Sequence, residues 1–200
     1  LWFLQPWTSS NVETGHIEGF EVLSRWYYKG IMRSAGMFIN IVKKVKYVDL
    51  VDKNLFNRIQ NEFSELCKEN SKVADMTFAL NLSAETLMIM EKNNSMFDSF
   101  VEKRTMPINN IVFEISEDMN LGLISIETLR YMQEKGYNIS VDDFGAGVSK
   151  LSDVLSGELG TIKTDKSLLP SSKVADKKAA EFHTIIKAIK ASGSTICVEG

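Results

Sequence analysis

Cysteine is scarce in this chain, and what there is forms no pattern. Only Cys67 and Cys197 occur in 200 residues, far apart and each in an apolar segment. No CxxC pair is present to hold zinc or a redox disulfide. Both therefore read as buried free thiols, which predicts a reducing, cytoplasmic compartment. Histidine is equally rare: His16 and His183 stand alone, without HExxH spacing, and read as turn, surface or helix-end residues. Charge of one sign is not in excess. The formal net charge is −3 and the isoelectric point near 5.5, which leaves no electrostatic footprint for polymeric nucleic acid. No apolar run reaches the roughly 18 residues of a membrane span. The start, Leu1 to Trp7, lacks the basic region of a signal peptide, and with no initiator Met the chain reads as a piece of a longer protein. Nucleotide-binding loops of the GxGxxG or GxxxxGK[ST] kind are missing. No low-complexity linker interrupts the chain, and a hydrophobic share of 44% suits one domain with a sizeable core.

What is present is an alternation of strand and helix patterns. Trp2–Gln5 reads as a short strand stopped by Pro6. Ile17–Trp26 reads as a strand with Glu21, Leu23 and Arg25 on one face and Phe20, Val22 and Ser24 on the other. Phe38, Ile41, Val42 and Val45 are spaced as one helix face, leaving Lys43, Lys44 and Lys46 as a solvated surface. Val51, Leu55, Ile59, Phe63 and Leu66 predict a longer amphipathic helix with Asp49 as its N-cap. A strand over Met76–Leu82 precedes a helix from Ser83 or Ala84, with Leu87, Met88, Met90 and Phe97 as core candidates. Further strands are expected at Ile111–Ile115, from Asn138, at Thr161–Asp165 and at Ser194–Glu199. Helices are expected at 122–135 and 176–191, stopped by Gly136 and Gly193, with a short one at 149–155. This order predicts a parallel α/β architecture, either an open sheet or a closed barrel.

One repeated position favours the barrel. Asn81, Glu114, Asp142, Asp143, Lys163 and Glu199 all fall at or near the C-terminal ends of successive strands, where barrels of this kind put their chemistry. Asp142 and Asp143 taken alone have two readings. They open a turn and cap the next helix, or they concentrate negative charge for a hard divalent cation. Gly145 and Gly147 would permit the bend that turns both acids to one site. Glu21, Asn81, Glu114 and Asp142 are all oxygen ligands, suited to Mg²⁺ or Mn²⁺ and not to zinc-type ligation. Asp143 could recruit a second ion. Lys163 could bond an attacking water or offset transition-state charge, Glu199 could accept its proton, and Arg25 could pair with a phosphate. The residues thus point to metal-assisted hydrolysis of a phosphate ester. Asp143-Phe144-Gly145 spells the kinase DFG, but the kinase Gly-rich loop, HRD and VAIK sequences are absent.

The motifs, in order, resemble the EAL domain family of bacterial cyclic di-GMP phosphodiesterases. Glu21-Val22-Leu23-Ser24-Arg25-Trp26 is similar to EALxRW, with Val22 for alanine. Asn81-Leu82-Ser83 is similar to NxS, Glu114-Ile115-Ser116-Glu117 to ExTE, and Asp142 to Gly147 to DDFGxG. Lys163-Thr164-Asp165 is similar to KxD, and Glu199-Gly200 to the start of EGVE. The resemblance implies a modified TIM-like (β/α)8 barrel with one antiparallel strand, spanning residues 1–200 and short of its closing C-terminal part. It implies Glu21, Asn81, Glu114 and Asp142 as metal ligands, Asp143 at a second Mg²⁺ or Mn²⁺, and Lys163 and Glu199 at the water. It also implies Glu117 pinning the loop after Asp143, and Gln5, Leu23 and Arg25 as substrate-binding residues. The activity it implies is opening of cyclic di-GMP to linear pGpG, in a domain that dimerises and sits beside sensory or GGDEF domains. Val148, Lys150 and Gly160 replace the family's usual aromatic, serine and aspartate, and Ala146 fills the variable position of DDFGxG. Val148, Lys150 and Gly160, though not the tolerated Ala146, keep open the alternative of a receptor that binds cyclic di-GMP or a partner protein without turnover; degenerate members usually lose acids from the metal set, and none is lost here.

Overall fold

A twelve-residue strand, Ile17–Tyr28, organises the first half of the chain. The computed structural model describes residues 2–8, 16–92, 105–116, 126–145, 160–170 and 175–198. They fall into two compact units, Leu1–Phe113 and Glu114–Gly200.

In the first unit, β2 (Ile17–Tyr28) is flanked by β1 (Trp2–Thr8), which runs antiparallel to it, and by β4 (Thr77–Asn81), which runs parallel. The distal half of β2 folds back on β3 (Ile31–Ser34) through a turn in which Lys29 and Gly30 both take positive φ. Pro6 does not stop β1, contrary to expectation: it pairs in register with Phe20, and the strand continues to Thr8. Among the described residues β1 pairs with β2 alone, and an edge strand tolerates a residue with no N–H. Gly19 is where these strands crowd. A Cβ there would collide with the Trp7 ring and the Thr77 carbonyl.

Among the described residues, three α-helices cover this unit: α1 (Ala35–Lys44), α2 (Val48–Glu69) and α3 (Ala84–Lys92). Asp49 is not the N-cap of α2. Tyr47 holds that position and Asp49 lies in the first turn, where the helix dipole still favours an acid. Along α2, Val48, Leu55, Phe56, Ile59 and Phe63 are buried. Phe63 meets Phe78 edge-on at 5.9 Å, and Phe78 also packs on Phe20 at 5.7 Å. Gln60 is polar in this apolar stripe because its side-chain oxygen accepts the N–H groups of Thr105 and Met106, at 2.8 and 2.9 Å. On α1 the predicted apolar face is only partly covered. Phe38 is buried, whereas Ile41 and Val45 are 61% and 54% exposed. They line an open cleft of about 570 Å³ with Trp2, Trp26 and Tyr47. Helical spacing fixes which residues share a face, not how deeply each is covered.

The strand β5 (Ile111–Ser116) carries the division between the units. Among its described residues the second unit has the parallel strands β6 (Asn138–Phe144), β7 (Thr161–Thr164) and β8 (Thr195–Val198). Its helices are α4 (Ile126–Glu134) and α5 (Ala175–Ala191). Ile139, Val141 and Ile162 of the strands are buried, as are Leu129 and Met132 of α4 and Ile189 of α5, as parallel strands covered by helices require. Gly136 and Gly193 take positive φ after α4 and α5, as helix-stopping glycines do. Both cysteines are free but half-buried rather than buried. The expected helix at 149–155 and the core candidate Phe97 lie outside the described residues. No helix among the described residues is long and apolar enough to cross a membrane.

Gly19→Ala would force a methyl into the Trp7–Thr77 contact. It should cost about 1–3 kcal/mol by the usual penalty for overpacking, read as a lower urea midpoint at unchanged m-value.

Candidate functional site

Each unit gathers part of the expected set. In the first, Glu21 lies on β2 opposite Ala79 of β4, and Asn81 is the last residue of β4. The Asn81 side-chain Nδ2 donates to Glu21 Oε1 at 3.1 Å. That bond orients the amide so that its donor end faces the carboxylate, and the carbonyl oxygen is the end left to serve as a ligand. Leu23, two residues along β2, is half-buried on the same face as Glu21. Gln5 is paired in register with Glu21 and is exposed. Arg25 is half-buried, donates from Nη1 to the Ser24 carbonyl at 2.9 Å, and lines the cleft beside α1.

In the second unit, Lys163 is the centre. It is 7% exposed on β7, and its Nζ lies 3.0 Å from Glu114 Oε1 and 3.0 Å from Asp142 Oδ1. Carboxylate oxygens of Glu114 and Asp142 also come within 4.8 Å of each other. Two acids close together against one lysine leave an excess of negative charge on buried oxygen donors. Hard divalent cations such as Mg²⁺ or Mn²⁺ fit such a donor set.

Local backbone geometry explains how Asp142 reaches this group. On β6 the register passes from Val141 opposite Ile162 to Phe144 opposite Thr164, so β6 carries one extra residue. This is a β-bulge, and it bends the strand at the two aspartates. Asp143 has φ +57° and Gly145 φ +100°. The bend expected of the glycines therefore begins at Asp143 itself, one of the few residue types that tolerates a left-handed backbone. Asp142 stays on the lysine's side, while Asp143 is exposed. At Gly145 a Cβ would strike the side chain of Leu168, so this position requires glycine on both counts.

Asp165 does not share the site as a strand residue. β7 ends at Thr164, and Asp165 caps the following 3₁₀ turn by accepting the Ser167 N–H at 2.7 Å. Hydrogen bonds from Ser167 hold its carboxyl below the ordinary carboxylate value. Glu117 and Glu199 lie outside the described residues, as do Ala146, Gly147, Val148 and Lys150. Gly160 is exposed at the start of β7, with its carbonyl accepting the Thr195 N–H at 2.9 Å.

One element escaped the sequence reading. Asp52 of α2 accepts three bonds through Oδ2, from Ser83 N at 3.0 Å, Ser83 Oγ at 2.6 Å and Thr86 Oγ1 at 2.6 Å. Burial pushes the Asp52 carboxyl up despite these bonds, and the charge of Glu85 adds to the shift. A carboxyl raised on folding contributes stability that is fully present below its unfolded pKa and lost as pH rises through its folded one. The legible signal was its place: Asp52 falls on the buried stripe of α2, between Val48 and Leu55.

Lys163→Met should leave Glu114 and Asp142 facing each other with their shared cation gone. Breaking a buried ion pair by removing one partner costs about 3–5 kcal/mol. The loss should appear in urea denaturation with EDTA present.

Known proteins bear on this arrangement. The EAL domain pattern matches residues 2–200. The chain is 26% identical over 198 residues to the cyclic di-GMP phosphodiesterase RocR of Pseudomonas aeruginosa, covering 94% of this chain and 48% of that protein. It is 27% identical over 174 residues to the probable cyclic di-GMP phosphodiesterase PdeG of Escherichia coli, covering 84% of this chain and 32% of that protein. It thus spans less than half the length of these curated relatives. The solved structure of the EAL enzyme Bd1971 with cAMP and cyclic di-GMP bound matches at a TM-score of 0.80 and 27% identity, covering 100% of this chain and 55% of that one. Full coverage at that score makes the fold class that of a partial TIM-like α/β barrel, with β1 antiparallel to β2 and the β2–β3 hairpin set off the main strand order. With its pattern matched from residue 2 to residue 200, the chain belongs to the EAL domain family.

Proposed function

We propose that this chain is a phosphodiesterase that hydrolyses cyclic di-GMP to linear pGpG with Mg²⁺ or Mn²⁺, two ions in the full site. The observation that carries the reading is the pair of acids bridged by Lys163, buried Glu114 and half-buried Asp142, each 3.0 Å from its Nζ. The names of the relatives supply the substrate. In this reading Glu21, Asn81, Glu114 and Asp142 hold one ion, and Asp143 serves the second. Bound ions of this kind lower the pKa of water and polarise a phosphoryl oxygen.

The chain's own groups do the rest. Lys163 presents Nζ protons to the attacking water and offsets charge as it develops on the phosphoryl oxygens. Glu199 accepts the water's proton. The water oxygen bonds to phosphorus, the bond from phosphorus to the 3′ oxygen breaks, and that oxygen leaves as a hydroxyl after taking a proton. Arg25 pairs with a substrate phosphate through its planar fork of donors. Gln5 and Leu23 contact the nucleotide, and Glu117 pins the loop that follows Asp143.

The test is turnover of cyclic di-GMP by the full-length protein with Mg²⁺ or Mn²⁺, following pGpG by chromatography. Product should vanish with EDTA and in Glu21→Ala, with a loss of at least about 100-fold in rate, typical of removing a group that acts on the transition state. Binding of the dinucleotide by folded protein, with no product under any metal, would replace this reading with a receptor.

A further inference from the structure

The turn that follows Asn81 is held by a side chain from another helix. Asn81 ends β4, Leu82 is buried, and Ser83 caps α3. The cap is well formed: Ser83 Oγ accepts the Thr86 N–H at 3.2 Å, and the Ser83 carbonyl accepts the Leu87 N–H at 3.1 Å. A cap of this kind needs no help. Yet Ser83 also gives its N–H and its hydroxyl to Asp52 Oδ2, and Thr86 gives its hydroxyl to the same oxygen. One carboxylate oxygen therefore fixes the residue two places after Asn81 in both backbone and side chain. Asp52 belongs to α2, whose buried stripe is anchored elsewhere by Ile59 and Phe63. The clamp ties the end of β4 to a rigid helix 31 residues earlier in the chain.

The consequence falls on Asn81. Its amide reaches Glu21 across the strands at 3.1 Å while its own residue is exposed, so local packing does little to hold the side chain. Its direction is set by the backbone on which it sits. A site of oxygen ligands loses affinity when a ligand can swing away, and groups behind the ligands orient them.

We propose that Asp52 is a positioning residue, clamping the turn at Ser83 so that Asn81 stays directed at Glu21 for metal binding. This inference rests on the metal reading above. It does not require Asp52 to touch an ion or the substrate.

The experiment uses the full-length protein with Mn²⁺ alone as the probe, measured by calorimetry, and follows the Asn81 side-chain amide by ¹⁵N NMR without metal. Asp52→Ala is compared with Phe63→Leu, a core variant of the same helix that lowers the melting temperature without touching the turn. Asp52→Ala should weaken Mn²⁺ binding about 10–100-fold, the range for groups supporting metal ligands. It should also shift the Asn81 amide resonances, while Phe63→Leu moves neither. If Asp52→Ala does not fold, Thr86→Val, which removes one hydroxyl link to Asp52 and leaves the Ser83 cap in place, should move both readouts in the same direction. Unchanged Mn²⁺ affinity and an unmoved Asn81 amide in either folded variant would overturn the proposal. If the wild-type protein binds no Mn²⁺, the metal reading fails. The amide resonances then decide whether Asp52 positions Asn81, since they need no ion.

Discussion

The bridge from Lys163 to Glu114 and Asp142 is the interaction on which the second unit's chemistry depends. A lysine 7% exposed in a parallel strand is costly unless its charge is met, and two carboxylates at 3.0 Å meet it. The same pairing keeps two acids close together where repulsion would otherwise separate them. Each group is thus the condition for the burial of the others. The cost of such a cluster is hard to explain by stability alone, since buried ion pairs are weak stabilisers beside an apolar core of equal volume.

The bulge in β6 is the second constraint, and it serves the first. A regular strand would point Asp142 and Asp143 to opposite faces. One extra residue and a left-handed Asp143 bend the chain there. Gly145 then lets the backbone pass beneath Leu168. Backbone in such a conformation persists when its surroundings over-determine it, and functional sites are where that is commonly found.

Much of this was legible in the sequence, and the failures have physical reasons. Strand-end acids could be placed because a period of two and glycine stops locate the strands, as at Glu114 and at Gly136 before β6. The sequence ends β1 before Pro6, yet the strand runs to Thr8, because proline breaks a ladder only where its missing N–H is needed. The N-cap of α2 was misassigned from Asp49 by two residues, since an acid is favourable throughout the first turn. Ile41 and Val45 were placed on the correct face of α1, but periodicity says nothing of what covers a face. Asp52 could not be found by motif. Its partners Ser83 and Thr86 lie more than thirty residues away, and only the fold brings them to one carboxylate oxygen.

The central claim is that the acids bridged by Lys163, Glu114 and Asp142, ligate a divalent ion. Anomalous diffraction from crystals grown with Mn²⁺ and cyclic di-GMP tests it most directly. The account predicts an anomalous peak within coordination distance, about 2.0–2.4 Å, of oxygens from Glu114 and Asp142. A bound dinucleotide with no peak at these oxygens, or a peak that only Asp143 and solvent contact, would contradict it.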